Sequence, residues 1–124
     1  MHEPQPILCA VDLSTHTGLV LGWGDWLART FDARLEVFHA VNPARQDPFP
    51  GTTIFERSGQ LAGLLSLARR QLASAAAPFE KIGACQVVAG DPVESLVAFS
   101  RKAGVDLVVA ASHGFSGIRR VLLG

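Results

Sequence analysis

Four short, largely apolar runs recur along this chain, separated by longer segments. The first run, Ile7 to Val11, shows no polar alternation, and such a run is typical of a strand that is covered on both faces of a parallel sheet. Runs of similar character occupy residues 34–41, 85–89 and 107–111. The pattern therefore predicts four buried strands.

The segment between the first two strands has a helical period. Its apolar residues recur at helical spacing: Leu19, Val20, Trp23, Trp26 and Leu27. They predict a helix that ends near Phe31 and that Ser14 or Thr15 caps at its start. Three glycines weaken this helix, by roughly 1 kcal/mol each relative to alanine at exposed interior positions: Gly18, Gly22 and Gly24.

A second and longer helix is predicted over residues 56–77, where leucines follow one stripe, arginines lie off it and Pro78 ends the pattern. The preceding segment, residues 42–55, is rich in proline, which predicts a loop. A loop of this length is unusual in a compact domain, and long ordered loops tend to be functional.

A third helix is predicted to begin at Pro92, with Asp91 as its cap, and to end at Gly104. We interpret the Gly-Asp-Pro sequence at its start as a turn and a cap only. Strands that alternate with helices in this way predict an α/β fold, a doubly wound parallel sheet with right-handed crossovers. Ligands of such folds bind beyond the carboxyl ends of the strands, where the strand order reverses.

Composition narrows the classes of function. With 124 residues the chain fits one domain, 1–124. Lys plus Arg equals Asp plus Glu at 11 each, so there is no general attraction to nucleic acid or to an anionic membrane. Residues 1–6 lack the features of a signal peptide, and we expect a cytoplasmic protein that interacts with neither nucleic acid nor membrane. Cys9 and Cys85 are expected to be buried free thiols and not to form a disulfide.

Few residues suggest chemistry. Asp12, after the first strand, could accept hydrogen bonds from ribose hydroxyls or a base amine, or could cap the next helix. Gly114 and Gly117 could present backbone N–H groups to an anion, or could form a plain turn. His39 lies within a strand and is predicted to be a packed core residue.

Familiar catalytic and nucleotide motifs are absent. There is no GxxxxGK[ST] sequence, and Gly22-Trp23-Gly24 falls inside a predicted helix, so it does not fit the dinucleotide fingerprint. Nothing marks a nucleophile for His113. A metal site formed by Asp12, His16 and His113 is a weak alternative, because their spacing matches no common pattern.

Four stretches of the chain, in order, are similar to the universal stress proteins. They are VDLS after the first strand, HAVNP at the end of the second, GDP before the third helix, and DLVVAASHGFSGIRRVLLG at the end. The resemblance spans nearly the whole chain. It implies the strand order 3-2-1-4-5 and, in the ATP-binding branch of the family, an adenine-nucleotide site.

That branch is marked by the motif G-x2-G-x9-G followed by Ser or Thr. Gly114 and Gly124 match it, Ala111 stands at the first glycine, and the final Ser or Thr lies past residue 124. By resemblance Asp12 holds the nucleoside, and Ala40 and Val41 flank the adenine. The implied nucleotide-binding set is Asp12, Leu13, Ser14, Ala40, Val41, Pro43, Ala110, Ala111, His113, Gly114, Gly117 and Gly124.

Family members continue through a fifth strand, often the dimer edge, and a last helix, so by resemblance the chain looks C-terminally truncated. The favoured function is a non-enzymatic stress-response module that binds ATP or AMP, with or without Mg²⁺. Its nucleotide state is expected to modulate homodimer or partner contacts. The alternative is a universal stress protein that binds no nucleotide and acts through protein–protein contacts. A slow ATPase ranks third, because no Walker lysine or base is evident.

Overall fold

A computed structural model describes residues 6–42 and 54–111 of the chain. Strands and helices alternate as the sequence predicts, and the largest difference in a strand boundary is the start of β3, at Ile82 instead of Cys85. The elements are β1 (Ile7–Ala10), α1 (Thr17–Phe31), β2 (Leu35–Val41), α2 (Ile54–Ala76), β3 (Ile82–Ala89), α3 (Pro92–Ala103) and β4 (Leu107–Ala110).

The four strands form one sheet in the order β3-β2-β1-β4, and every pair is parallel. Ala10, the last residue of β1, pairs with Phe38 on one side and with Ala110 on the other. The predicted α/β fold class and the order 3-2-1-4 are therefore confirmed. All four carboxyl ends lie at the same edge of the sheet.

Two apolar cores cover the two faces of the sheet. On one face, Val20 and Leu21 of α1 and Leu72 of α2 pack against Cys9 and other residues of β1 and β2. On the other face, the core consists mainly of Leu8, Ala10, Phe38, Ala40, Leu96 and Val105. The helices thus change faces between α2 and α3, and the strand order reverses between β1 and β4. None of the helices, within the residues described, is long and apolar enough to cross a membrane.

The start of α1 differs from the prediction of a Ser14 or Thr15 cap. The N-cap residue is His16, and it makes no side-chain capping bond. Ser14 instead closes the preceding turn, because its carbonyl accepts from Thr17 N (3.1 Å) and its hydroxyl accepts from His16 N (3.2 Å). Ser14 therefore stabilises the turn that leads into the helix, while the N-cap itself lies one or two residues later than predicted.

The apolar residues whose spacing predicts α1 are mostly not its buried side. Of the five, only Val20 is buried, whereas Leu19, Trp23 and Trp26 are each more than half exposed. The residues of α1 that are buried include small and polar ones: Thr17, Val20, Leu21, Gly24, Asp25 and Ala28.

Gly24 explains this choice of face. A Cβ atom at this position would overlap Cys9 Sγ and lie 3.1 Å from Leu35 Cδ1. At Gly18 and Gly22 an added Cβ would meet nothing within 4 Å. Gly24 is therefore required by close helix–sheet packing, and the cost expected for an exposed glycine does not apply to this buried position.

The two cysteines have different environments. Cys9 is buried, and its thiol donates to the Val20 carbonyl (3.6 Å); burial raises the pKa of Cys9 to about 12. Cys85 is exposed, which contradicts the prediction that it is buried, although partial burial still raises its pKa. Both thiols are free, as predicted, and Val37 lies between them as the direct strand partner of each.

The prediction that all four strands are buried was also wrong for β3 and β4. No residue of β3 is fully buried, since four are half-buried and four are exposed, and the residues of β4 are half-buried except for the exposed Ala110. Both strands lie at the edges of the described sheet. An apolar run therefore fits an edge strand here as well as a central one.

The turn before α3 has the predicted form. The Asp91 side chain accepts from Glu94 N at 3.0 Å, and Pro92 occupies the first helical turn. Gly104 ends the helix in the left-handed conformation with φ 66°. Gly90 also joins this turn to the neighbouring strand, because its N–H donates to the Val41 carbonyl at 2.9 Å.

Candidate functional site

Three chain segments leave the sheet side by side at its carboxyl edge. Residues 11–14 follow β1, residue 42 follows β2, and Ala111 follows β4. The first segment still pairs with β2 just beyond the end of β1, because Val11 N donates to the Phe38 carbonyl at 2.9 Å. Because β1 lies between β2 and β4, this edge is the point at which the strand order reverses, the usual place for a ligand in such sheets.

His39 supports this edge from the interior. Its Nδ1 lies 2.8 Å from the Val11 carbonyl oxygen, and since a carbonyl only accepts, the ring nitrogen must be the donor. The side chain is 9% exposed. The prediction of a packed core histidine is confirmed, and its hydrogen bond fixes the position of the chain just before Asp12.

Asp12 places a charged group at this edge, directly beyond the end of β1. Its Oδ1 accepts from Ser14 N at 3.0 Å, a local turn of the Asx type, and the side chain remains partly exposed. Because His16 is the N-cap of α1, the interpretation of Asp12 as the cap of that helix was wrong.

The ionisation of Asp12 follows from the same contacts. Burial alone would raise the pKa of Asp12, but hydrogen bonds from Ser14 and the nearby His16 outweigh it, and the net effect lowers the pKa below its usual value. The group is therefore a carboxylate at neutral pH. An ionised carboxylate is a hydrogen-bond acceptor only, so it selects for donors such as hydroxyl or amine groups.

Leu13 has an unusual backbone conformation. Its φ is 60°, in the left-handed region that a bulky side chain rarely adopts. The Leu13 side chain packs against the core on the α1 face of the sheet, and this packing holds the conformation in place. Backbone strain of this kind is concentrated at functional sites. The sequence gives no signal for it, because no glycine or asparagine occupies the position.

Thr17 is a second feature that sequence reasoning missed. It begins α1, is 6% exposed, and its hydroxyl is buried with no hydrogen-bond partner. A threonine at the first residue of a helix is ordinary in sequence, and only packing decides whether its hydroxyl reaches solvent.

The apolar residues of the implied site fall into two groups. Ala40 and Val41 are buried at the end of β2 and form part of the packed interior beside the edge. Ala110 is exposed and Ala111 is half-buried at the end of β4. The structure thus brings Asp12, Leu13, Ser14, Ala40, Val41, Ala110 and Ala111 to one edge of the sheet.

The remaining residues of the implied site lie outside the described residues: Pro43, His113, Gly114, Gly117 and Gly124. The same is true of most of the proline-rich loop. Across residues 6–42 and 54–111, no three His, Cys, Asp or Glu side chains are grouped to hold a metal ion.

The fold and this edge define a doubly wound α/β protein with a candidate ligand site at the switch point of its sheet. A family model described as the universal stress protein family matches residues 4–124. The chain therefore belongs to the universal stress protein family, as the resemblance indicates. No curated protein matches this chain.

Solved structures share the fold. A universal stress protein from Burkholderia pseudomallei is 26% identical, with a TM-score of 0.71 over 90% of this chain and 84% of that chain. One from Archaeoglobus fulgidus, in complex with dAMP, is 22% identical, with a TM-score of 0.57 over 88% and 82%. Another universal stress protein, in complex with cAMP, is 20% identical, with a TM-score of 0.56 over 94% and 80%.

Proposed function

We propose that this chain is a stress-response module that binds an adenine nucleotide, ATP or AMP, beyond the carboxyl ends of β1, β2 and β4. The observation that carries the proposal is the Asp12 carboxylate, held by Ser14 N where the strand order reverses. Ribose hydroxyls are donors that suit an anionic acceptor. The dAMP and cAMP complexes of structurally similar universal stress proteins support the choice of an adenine nucleotide.

The surroundings of Asp12 suit a nucleoside. Ala40 and Val41 offer an apolar wall at the end of β2 that is already packed before a base arrives, and sites of this kind combine apolar walls with a few well-placed polar groups. The turn from Asp12 to Ser14 is held at both ends by hydrogen bonds, so little conformational entropy is lost on binding.

The part of the proposed site that would hold the phosphates matches the family motif less well than the part around Asp12. In the resembled motif a glycine allows the backbone to come close to the phosphates, and here Ala111 adds a methyl group at that position. Gly114, Gly117 and Gly124 would complete this side. Mg²⁺ would be held mainly through the phosphates of ATP, in keeping with its preference for few protein ligands.

ATP and AMP should therefore bind with similar affinity, within about tenfold, or about 1.4 kcal/mol. Replacing Ala111 with Gly should favour ATP, because the backbone is then bare at the motif's first glycine. Calorimetric titration of both chains with both nucleotides measures the ratio. If the unmodified chain already prefers ATP by far more than tenfold, other groups hold the phosphates and the role given to Ala111 is wrong.

Nucleotide occupancy is proposed to act without chemistry on the nucleotide, by changing the contacts of a homodimer or of a partner protein in the cytoplasm. The segments that would sense the ligand follow three different strands. A ligand that contacts all three segments restricts their motion relative to one another. It shifts the equilibrium between the states with and without the homodimer or partner contact by its difference in affinity for those two states.

The test compares two aspartate variants. Asp12→Asn keeps the shape and removes the charge, and a hydrogen bond to a charged group is worth about 1.5–3 kcal/mol, so AMP affinity should fall roughly tenfold to a hundredfold. Asp32→Asn is the matched control, since Asp32 is a highly exposed carboxylate that follows the other end of α1. Equal AMP affinities in the two folded variants would contradict the proposal.

A second candidate is the branch of the family that binds no nucleotide and acts only through protein contacts. Ala111 at a motif glycine favours it. In that case neither ATP nor AMP should produce heat in the calorimeter.

A further inference from the structure

The outer side of α1 is an apolar surface that does not pack against the sheet. Both tryptophans of the chain, Trp23 and Trp26, lie on it with exposures of 56% and 57%, next to Leu19 at 63%. The two indole rings meet edge to face, with centroids 6.0 Å apart and an interplanar angle of 84°. With Gly18 and Gly22, these three residues are called the Trp face below.

The Trp face has the shape of a ridge beside a groove. Leu19, Trp23 and Trp26 follow the i, i+4, i+7 spacing of a helix–helix seam. At Gly18 and Gly22 an added Cβ would meet nothing within 4 Å, so the backbone is bare beside the rings. The five residues line a shallow cavity of about 480 Å³.

The apolar area is large enough for a specific contact. At roughly 250 Å² for a whole tryptophan, the observed exposures leave about 280 Å² of the two side chains in solvent. A stable interface buries about 800 Å² on each partner, a little over half of it apolar. With Leu19, the Trp face supplies most of the apolar centre of such an interface.

Charge narrows the choice of partner. The Trp face carries no ionisable side chain, and Arg29 further along α1 pairs with Asp25 at 3.1 Å. An acidic partner, a nucleic acid or an anionic membrane would require unpaired cations here. The surface therefore suits an uncharged, apolar partner.

We propose that this partner is a second copy of the chain, with the two α1 helices packed face to face through their Trp faces. A two-fold contact needs one patch that complements itself. Here each indole ridge meets the bare groove at Gly18 and Gly22 of the other copy. This inference deepens the proposed function by giving the homodimer a contact surface on α1, distinct from the fifth-strand edge that the resemblance implies, and it does not depend on nucleotide binding.

The first experiment follows association of the full chain without nucleotide, by sedimentation over micromolar to millimolar concentrations and by tryptophan emission. Because both tryptophans lie in the Trp face, emission should shift to the blue in step with dimer formation. Trp23→Ala should weaken dimerisation at least tenfold. Leu67→Ala is the matched control, since Leu67 is a 45% exposed leucine on α2, and it should leave the dimer unchanged.

A second variant separates association from folding. Gly22→Ala adds a methyl into the groove but meets nothing within its own chain, and alanine favours a helix over glycine. The variant should be at least as thermally stable as the parent under dilute conditions and should dimerise at least tenfold more weakly.

Four outcomes would overturn the inference. The chain could stay monomeric throughout, or it could form a dimer without any change in tryptophan emission. Trp23→Ala, Gly22→Ala and Leu67→Ala could have equal dimer affinities, or the emission could shift with neutral phosphatidylcholine vesicles but not with protein concentration. Titration of the same variants with AMP keeps the two proposals distinguishable. Loss of dimerisation with intact AMP binding in Trp23→Ala supports the Trp face, whatever the outcome at Asp12.

Discussion

At the scale of single residues, Gly24 marks the closest approach between α1 and the sheet. An alanine Cβ there would overlap the buried Cys9 Sγ, with Leu35 also in close range. Cys9 has little room to move, because its thiol is packed in the core and bonded to the Val20 carbonyl. The contact therefore cannot be relieved by a flexible side chain.

Gly24→Ala should destabilise the protein. Overpacking of a core costs about 1–3 kcal/mol, and the better helix propensity of alanine returns at most about 1 kcal/mol. Gly63→Ala on α2, where an added Cβ meets nothing within 4 Å, should be neutral or stabilising. Urea denaturation measures both.

The double variant Cys9→Ala/Gly24→Ala tests the cause. It removes the sulfur that the new methyl would meet, so the two substitutions together should cost less than the sum of their separate effects. Simple additivity would show that the strain lies elsewhere.

At the scale of elements, α3 is the helix whose start the sequence describes best. Asp91 accepts from Glu94 N, Pro92 follows it, and Gly104 closes the other end. The start of α1 has no side-chain cap, and the turn around Ser14 takes its place. The two helices, which pack on the same sheet, therefore begin differently: α3 with a side-chain cap and α1 without one.

Asp91→Ala should lower the free energy of unfolding by about 0.5–2 kcal/mol, the usual cost of removing a cap. Asp106→Ala provides the comparison, because Asp106 is an exposed aspartate just after the same helix. Thermal or urea unfolding that gives the same loss for both variants would contradict the capping role of Asp91.

Element by element, the apolar pattern predicts where α1 lies but not which side it buries. Close packing on the sheet selects Gly24 and Ala28 for the inner side, which turns the large residues Trp23 and Trp26 outward. A pattern based on hydrophobicity alone gives most weight to those large residues. The buried face of a helix that packs this closely is set by the size of its residues.

At the scale of the whole molecule, the alternation of strands and helices is predicted from the sequence because each buried run needs a helix to cover it. The strand order 3-2-1-4 comes only from the family resemblance. The partial exposure of β3 and β4 follows from their positions at the edges of the sheet that the described residues form, and an apolar run alone does not show whether its strand is central.

The candidate site is likewise only partly predictable from the sequence. The place of Asp12 follows from its position at the end of a buried strand, as does the place of Ala111. The left-handed backbone of Leu13 and the buried hydroxyl of Thr17 have no sequence signal. Both depend on how α1 packs against the sheet, a property of the folded chain.

The most direct test of the central claim is titration of the isotopically labelled chain with AMP, followed by the NMR signals of the backbone amides. The amides of Asp12, Leu13, Ser14 and Ala111 should shift together and saturate, while those of Asp32 and Ala33 at the opposite end of α1 should stay in place. The absence of any shift at saturating AMP, or shifts centred away from the carboxyl edge of β1, would contradict it.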